Sequence, residues 1–277
     1  MTIQQTPLDR RTVLGSILVG ITTGLAGCSA LSDSDDDDSS TNTSGEVLQS
    51  VAVEGVELVV ELERDAVDQL NIIDPSGELF AQQTIESGVS RTTLEIGTDY
   101  PIGEYELIGL ADEETVETTS ITLEPDLELT ELRLARDHPE EMYEEASGSI
   151  LETGTILTVA NSGTGPSAIT TLRFDGDVPN PTHESYDESG IYDPDDDLGA
   201  DAELMVVPAG ENVVLYSNLE PFTLAASRIS CTPSGEEGEF TVRLDSTHDS
   251  EGVVANYSVE YIGTDHENCT VEIERTE

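Results

Sequence analysis

Three kinds of side chain in this sequence could do chemistry: the cysteines, the histidines and one alternating set of aspartates. Cys28, Cys231 and Cys269 are the only thiols, an odd number that leaves one without an internal partner. His138, His183, His248 and His266 are scattered. No two of them stand at ligand spacing on one element, so no zinc site is spelled out. His248-Asp249 and His266-Glu267 set an acid beside an imidazole, but 59 acids in 277 residues put such neighbours everywhere. Asp193, Asp195 and Asp197 alternate ahead of Gly199, a pattern suited to holding calcium through carboxylate oxygens. A loop of the EF-hand type needs glycine sixth and glutamate twelfth, and those places hold Leu198 and Leu204. A solvated acidic insertion is therefore favoured over a calcium loop. With no Gly-x-Ser-x-Gly elbow, no phosphate loop and no lysine for Schiff-base chemistry, the expectation is a protein that is not an enzyme and holds no cofactor.

The strongest local signal lies at the start. Arg10-Arg11-Thr12-Val13-Leu14 opens an uncharged run that closes on Leu25-Ala26-Gly27-Cys28. Val13 to Gly27 is 15 residues, short of the ~20 that cross a bilayer as a helix. The segment resembles a twin-arginine (Tat) lipoprotein signal, with Val13 where phenylalanine is common. That resemblance implies removal of residues 1–27, lipid on Cys28, and a membrane-anchored protein on the outer face of the cell. Residues 28–45 hold Asp33-Ser34-Asp35-Asp36-Asp37-Asp38 and a Ser/Thr tract. This stretch cannot bury enough apolar surface to fold and reads as a disordered acidic tether. Asn42 in it begins a glycosylation sequon, as do Asn256 and Asn268.

Composition describes the surroundings. All ten bases are arginine and the formal charge is −49. Without residues 1–27 the chain keeps 58 acids and 8 arginines, or −50. Such a charge repels itself at low salt and is screened at molar salt, where the Debye length is ~3 Å. Acidic, lysine-free chains resemble proteins of extreme halophiles, haloarchaea above all, and export of an already folded chain suits that setting. Nucleic acid is excluded as a partner, because phosphate binding needs clustered bases.

These features must be carried by strands. Val56, Leu58, Val60 and Leu62 alternate with Glu57 and Glu61, with Val59 the one exception, and Phe240, Val242 and Leu244, then Tyr257, Val259 and Tyr261, keep the same period of two. Period-two alternation buries one face and leaves the other wet. Turn chemistry at Asp74-Pro75-Ser76-Gly77, Pro101-Ile102-Gly103 and Pro208-Ala209-Gly210 separates the runs. The fold class expected is all-β: two Ig-like or fibronectin-like antiparallel β-sandwich domains, 46–125 and 126–277, the second with an acidic insertion at 182–203. Length alone would also allow one large sandwich. Leu127 and Leu129 are out of phase with Leu132 and Leu134, which predicts a bulge or a strand buried on both faces. A short helix is expected only at His138 to Ala146.

Gly154-Thr155-Ile156-Leu157-Thr158-Val159-Ala160-Asn161-Ser162-Gly163, Leu172 to Gly176, Pro208 to Glu211 and Gly238 to Asp245 resemble the cell-adhesion-related Ig-like domain of prokaryotic surface proteins. The acidic insertion and two cysteines depart from it. With Cys28 committed to lipid, Cys231 and Cys269 are expected to form a disulfide. The expected function is a cell-surface lipoprotein acting as a structural, adhesion or interaction module toward a surface protein or glycan. The alternative is an accessory or solute-binding lipoprotein, disfavoured because no βαβ alternation supplies the two lobes of a receptor.

Overall fold

The computed structural model describes residues 45–144, 146–193, 201–224, 229–249, 252–265 and 268–276. The export signal with Arg10 and Arg11, Cys28, the tether to residue 44 with Asn42, Asp195, Asp197 and His266 lie outside the described residues.

Among the described residues, fifteen antiparallel strands make four sheets. In the first half these are β1 (Leu48–Glu54), β2 (Glu57–Leu62), β3 (Gln69–Ile73), β4 (Leu79–Thr84), β5 (Arg91–Glu95), β6 (Gly103–Ala111) and β7 (Glu114–Leu123). Sheet β1-β2-β5 packs on sheet β4-β3-β6-β7. Leu58, Val60 and Leu62 from one sheet meet Leu70, Ile72, Tyr105 and Leu107 from the other in a single core. The second half contains β8 (Leu127–Leu134), β9 (Thr155–Asn161), β10 (Ser167–Gly176), β11 (Met205–Val207), β12 (Asn212–Tyr216), β13 (Glu236–Ser246), β14 (Val253–Gly263) and β15 (Cys269–Thr276). Here β12-β9-β8 packs on β11-β10-β13-β14-β15 around Leu157, Val159, Leu172, Phe174, Phe240 and Tyr257. The chain is all-β, and in both halves a three-stranded sheet covers a larger one, the plan of Ig-like and fibronectin-like sandwiches. Tyr105 near the start of β6 adds a tyrosine corner: it is fully buried and its hydroxyl donates to the Pro101 carbonyl at 2.7 Å.

The out-of-phase leucines of β8 resolve as a bulge, because the pairing with β9 slips between Leu129 and Glu131. Leu129, Leu132 and Leu134 all stay in the core as a result. The helix expected at His138 to Ala146 is corrected. Pro139–Glu141 makes a single 3-10 turn, and the α-helix, α1, is five residues at Ser149–Thr153. Pro139 starts the turn, but the acids after it supply no apolar stripe to hold a longer helix on the sandwich.

Where the chain enters the first sandwich, three successive amides converge on one carboxylate. Glu117 accepts from the N–H of Glu46 (3.2 Å), Val47 (2.7 Å) and Leu48 (2.6 Å). It can do so because Val116 is an extra residue in β7, which turns Glu117 toward β1. Those amide bonds hold its carboxyl below the usual carboxylate range. A depressed acid stabilises the fold above its unfolded pKa and loses that contribution as pH falls through the folded value. Glu117→Gln should therefore cost about 1 kcal/mol at neutral pH after solvent screening. It should cost nothing once the pH is well below 4, a convergence visible in denaturant titrations at both pH values.

Candidate functional site

The acidic insertion leaves β10 and returns at β11, and its stem is built into the sandwich. Leu172 N–H donates to Ser189 O (2.7 Å), Tyr192 N–H to Tyr216 O (2.8 Å) and Ala202 N–H to Ile191 O (2.9 Å). Ile191, Tyr192 and Ala202 are buried, which is why the stem docks while its acids stay outside. Residues 189–193 and 201–202 are thus not the freely solvated run expected of an insertion. Gly190 makes the crossing, with φ at +75° and any Cβ 2.7 Å from Leu172 O.

Asp201 is the hub of this stem. Its carboxylate accepts from the Gly190 N–H at 2.6 Å and from the Tyr186 hydroxyl at 3.2 Å. Glu188 lies against the same group, and sharing a hydrogen bond with Asp201 pushes its own carboxyl up. A shallow cleft of about 430 Å³ opens here, lined by Thr171, Asp187, Glu188, Asp201 and Glu203. Of the expected calcium ligands only Asp193 is described, and it already has an interaction of its own. The best-placed carboxylate, Asp201, is consumed by backbone and tyrosine. Calorimetric titration of calcium in molar salt is therefore expected to give no heat and no rise in melting temperature; a saturable heat would reverse this reading.

Tyr186 and Tyr192, the aromatics best placed to receive a sugar, are also engaged. Burial and the Asp201 charge push the Tyr186 phenol up. Tyr192 stacks on Tyr143 with ring centres 3.8 Å apart, and Tyr216 meets Tyr143 edge-on. This trio packs on the side of the sandwich, with Tyr192 buried and Tyr143 and Tyr216 half-buried.

The histidines do not converge. His138 lies near Glu140 and Glu141 in a cation-sized cluster that sequence reading missed. Glu141 there holds His138 Nδ1 at 3.2 Å and also ion-pairs with Arg133, so its charge is already met. His183 Nδ1 accepts from Ser185 N–H at 3.1 Å. His248 sits between the two sandwiches. Its Nε2 donates to Tyr100 O at 3.2 Å and its Nδ1 faces the Ser167 hydroxyl at 3.3 Å, while burial pushes the imidazole down.

His248 belongs to a joint that the Asn161–Pro166 segment builds. Tyr100 of the first sandwich donates its hydroxyl to Pro166 O at 2.8 Å. Thr164 and Gly165 N–H both donate to Glu124 O, at 2.8 and 3.3 Å. Gly163 and Gly165 must be glycine, since a Cβ would meet Glu124 O at 2.2 Å and the Tyr100 hydroxyl at 2.1 Å. The Asn-x-Gly motif therefore fixes one sandwich to the next.

One feature of charge depends on register alone. Glu237, Glu260 and Glu272 stand directly opposite one another across β13, β14 and β15, with Glu239, Ser258 and Glu274 in the adjacent row. They line an open groove of about 720 Å³ on the outer face. Facing like charges destabilise a sheet, and the penalty shrinks as salt rises. Asn256 and Asn268 are both exposed, the first bonded to Thr241 in mid-strand and the second in the turn before Cys269. Cys231 and Cys269 form the expected disulfide, with Cα atoms 5.8 Å apart.

No protein-family model matches the chain, and no curated protein is similar to it. Among solved structures, a two-domain fibronectin type III segment from chicken tenascin is 14% identical over 85% of this chain and 99% of that one, at a TM-score of 0.25. The human OSCAR ligand-binding domain is 10% identical over 81% and 92%, at 0.20. A β-glucuronidase from glycoside hydrolase family 2 is 11% identical over 77% of this chain, at 0.23, and the match spans 19% of that enzyme. At these scores the likenesses carry no argument about activity; the fold assignment rests on strand order and packing.

Proposed function

We propose that the chain is an exported lipoprotein of an extreme halophile, held to the outer membrane face by lipid on Cys28, whose sandwiches act as a structural or interaction module toward a surface protein or glycan. The observation that carries this reading is mechanical. Glu46 to Leu48, near the start of the described residues, are clamped on Glu117, and the sandwiches are pinned together at Tyr100, Glu124 and Asn161–Pro166. A chain fixed at its entry point and at its joint transmits position from a membrane to a surface; a cleft that must open and close needs the opposite. The charge of −49 and the absence of lysine support the saline setting.

Mass spectrometry of the membrane fraction tests the anchor. The expected species begins at Cys28 and carries a covalently bound lipid there. A protein that starts at Cys28 without lipid, or that stays in the soluble fraction, would overturn the proposal.

A further inference from the structure

Edge strands offer unpaired backbone groups, and soluble proteins guard them with charge. This chain does so along most of its edges: β1 carries Glu54, β5 Arg91 and Glu95, β7 Glu114 and Glu117, β8 Glu128 and Glu131, and β15 Glu272 and Glu274. The short neutral strands β11 and β12 lie against each other, and the insertion stem covers the end of β12. β4 is different. It is the outermost strand of β4-β3-β6-β7 and reads Leu-Phe-Ala-Gln-Gln-Thr, without charge, proline or glycine. That is the composition of a strand that pairs with its own copy. Leu79 at its start is 56% exposed.

The strand is also held ready. At one end Asp74 accepts from Ser76 N–H (2.8 Å) and Glu78 N–H (3.0 Å), fixing the turn. At the other, Ile85 N–H donates to Asp68 O at 2.8 Å. Neutrality continues inward across the outer face, where Gln82 pairs with Asn71, Asn71 with Ile108 and Ile108 with Thr118.

We infer that β4 is a self-association edge, on which two copies of this chain pair antiparallel to join their four-stranded sheets. Charge selects this occupant. Two chains of −49 repel, and β4 is the full-length edge along which two copies can meet with no charged residue anywhere in the paired strand. A basic partner would be drawn to the acidic surface everywhere and gains nothing from the neutral strip. A sugar would need an open aromatic face, and Phe80 instead packs edge-on to Tyr105, ring centres 5.3 Å apart. Opposite residues of an antiparallel pair share a face, so a twofold normal to the sheet passes midway between the two copies of one residue. For a strand from Leu79 to Thr84 that residue is Ala81 or Gln82. Glutamates at 82 would then lie directly opposite or on the diagonal, within about 8 Å.

An edge of this length buries little area and belongs to the small, transient class of interfaces, so the measurement must reach millimolar protein. Sedimentation of the full chain in density-matched detergent and molar potassium chloride should show monomer passing to dimer as concentration rises. Gln82→Glu with Thr84→Glu, both at exposed positions, should weaken the dimer about 3-fold in molar salt, and more as the salt is lowered. Val214→Glu with Val254→Glu, both exposed on the second sandwich, adds the same charge elsewhere and should leave it unchanged. A monomer at millimolar concentration, equal association in wild type and the β4 variant, equal weakening by both variants, or assemblies beyond a dimer would each overturn the inference. Lipid on Cys28 is read separately by mass, so the inference and the anchor fail independently.

Discussion

Replacing Asn161 with alanine lowers the stability of the second sandwich by about 3–5 kcal/mol, the sum of several buried polar groups left unpaired at once. Its side chain uses all four of its bonding positions. The amide donates to Gly165 O at 2.9 Å and Val207 O at 3.1 Å, and the carbonyl accepts from Asp126 and Gly163 N–H, both at 3.0 Å. It thereby ties β9 to β11, to the incoming linker and to the glycine turn that meets Tyr100. Water cannot easily replace it, since Asn161 is 2% exposed. Asn161→Asp is a sharper variant, because it keeps the size but turns two donors into acceptors facing carbonyls. Denaturant unfolding in molar salt, followed by a probe for each sandwich, should show the second transition moving and the first moving less. A loss under about 1 kcal/mol would mean the turn holds itself and Asn161 is incidental.

That residue shows how far sequence reading reached. Its motif was visible as Asn-Ser-Gly-Thr-Gly-Pro, and its likeness to a surface-domain strand and turn was visible too. Its partners were not, because Val207 and Asp126 come from other elements and only packing brings them together. The alternation at Phe240, Val242 and Leu244 named a buried face directly, since side chains on a strand take turns. The phase slip at Leu129 to Leu132 named the bulge for the same reason. Patterns of this kind are local, and local patterns survive without coordinates.

What failed to be legible depends on register or on tertiary override. The facing glutamates at 237, 260 and 272 sit on three strands, and composition alone hid them among 59 acids. The cluster at His138, Glu140 and Glu141 depends on the 3-10 turn that stands in place of the expected helix. The insertion read as uniformly solvated because its charge overwhelmed three buried positions, Ile191, Tyr192 and Ala202. In so acidic a chain the informative residues are the uncharged ones, and β4 is the longest neutral edge that nothing in the described residues covers.

Loss of the disulfide is the second large effect, and salt decides how it is seen. Cys231–Cys269 closes a loop of 37 intervening residues that holds the whole β13–β14 hairpin. Chain entropy puts its contribution at about 4 kcal/mol. Among the described residues, the segment before β13 that it pins is also held by Gly263 N–H donating to Thr232 O at 3.1 Å, by Ser230 N–H donating to Glu236 at 3.2 Å and by an isolated bridge from Thr232 to Ile262. A domain is stable by only about 5–15 kcal/mol, so the bond is a large fraction of the total. In molar salt, with self-repulsion screened, the Cys231→Ser/Cys269→Ser protein should still fold, with a denaturant midpoint shifted by an amount equal to that contribution. At low salt the −49 chain should lose the second sandwich without the bond and keep it with the bond. The twin-arginine route proposed for this chain makes the first half of that expectation necessary, because it carries proteins folded before they reach an oxidising space. A double-serine variant unfolded even in molar salt would set that route against the fold. One as stable as the wild type at every salt concentration would show that the hairpin needs no staple.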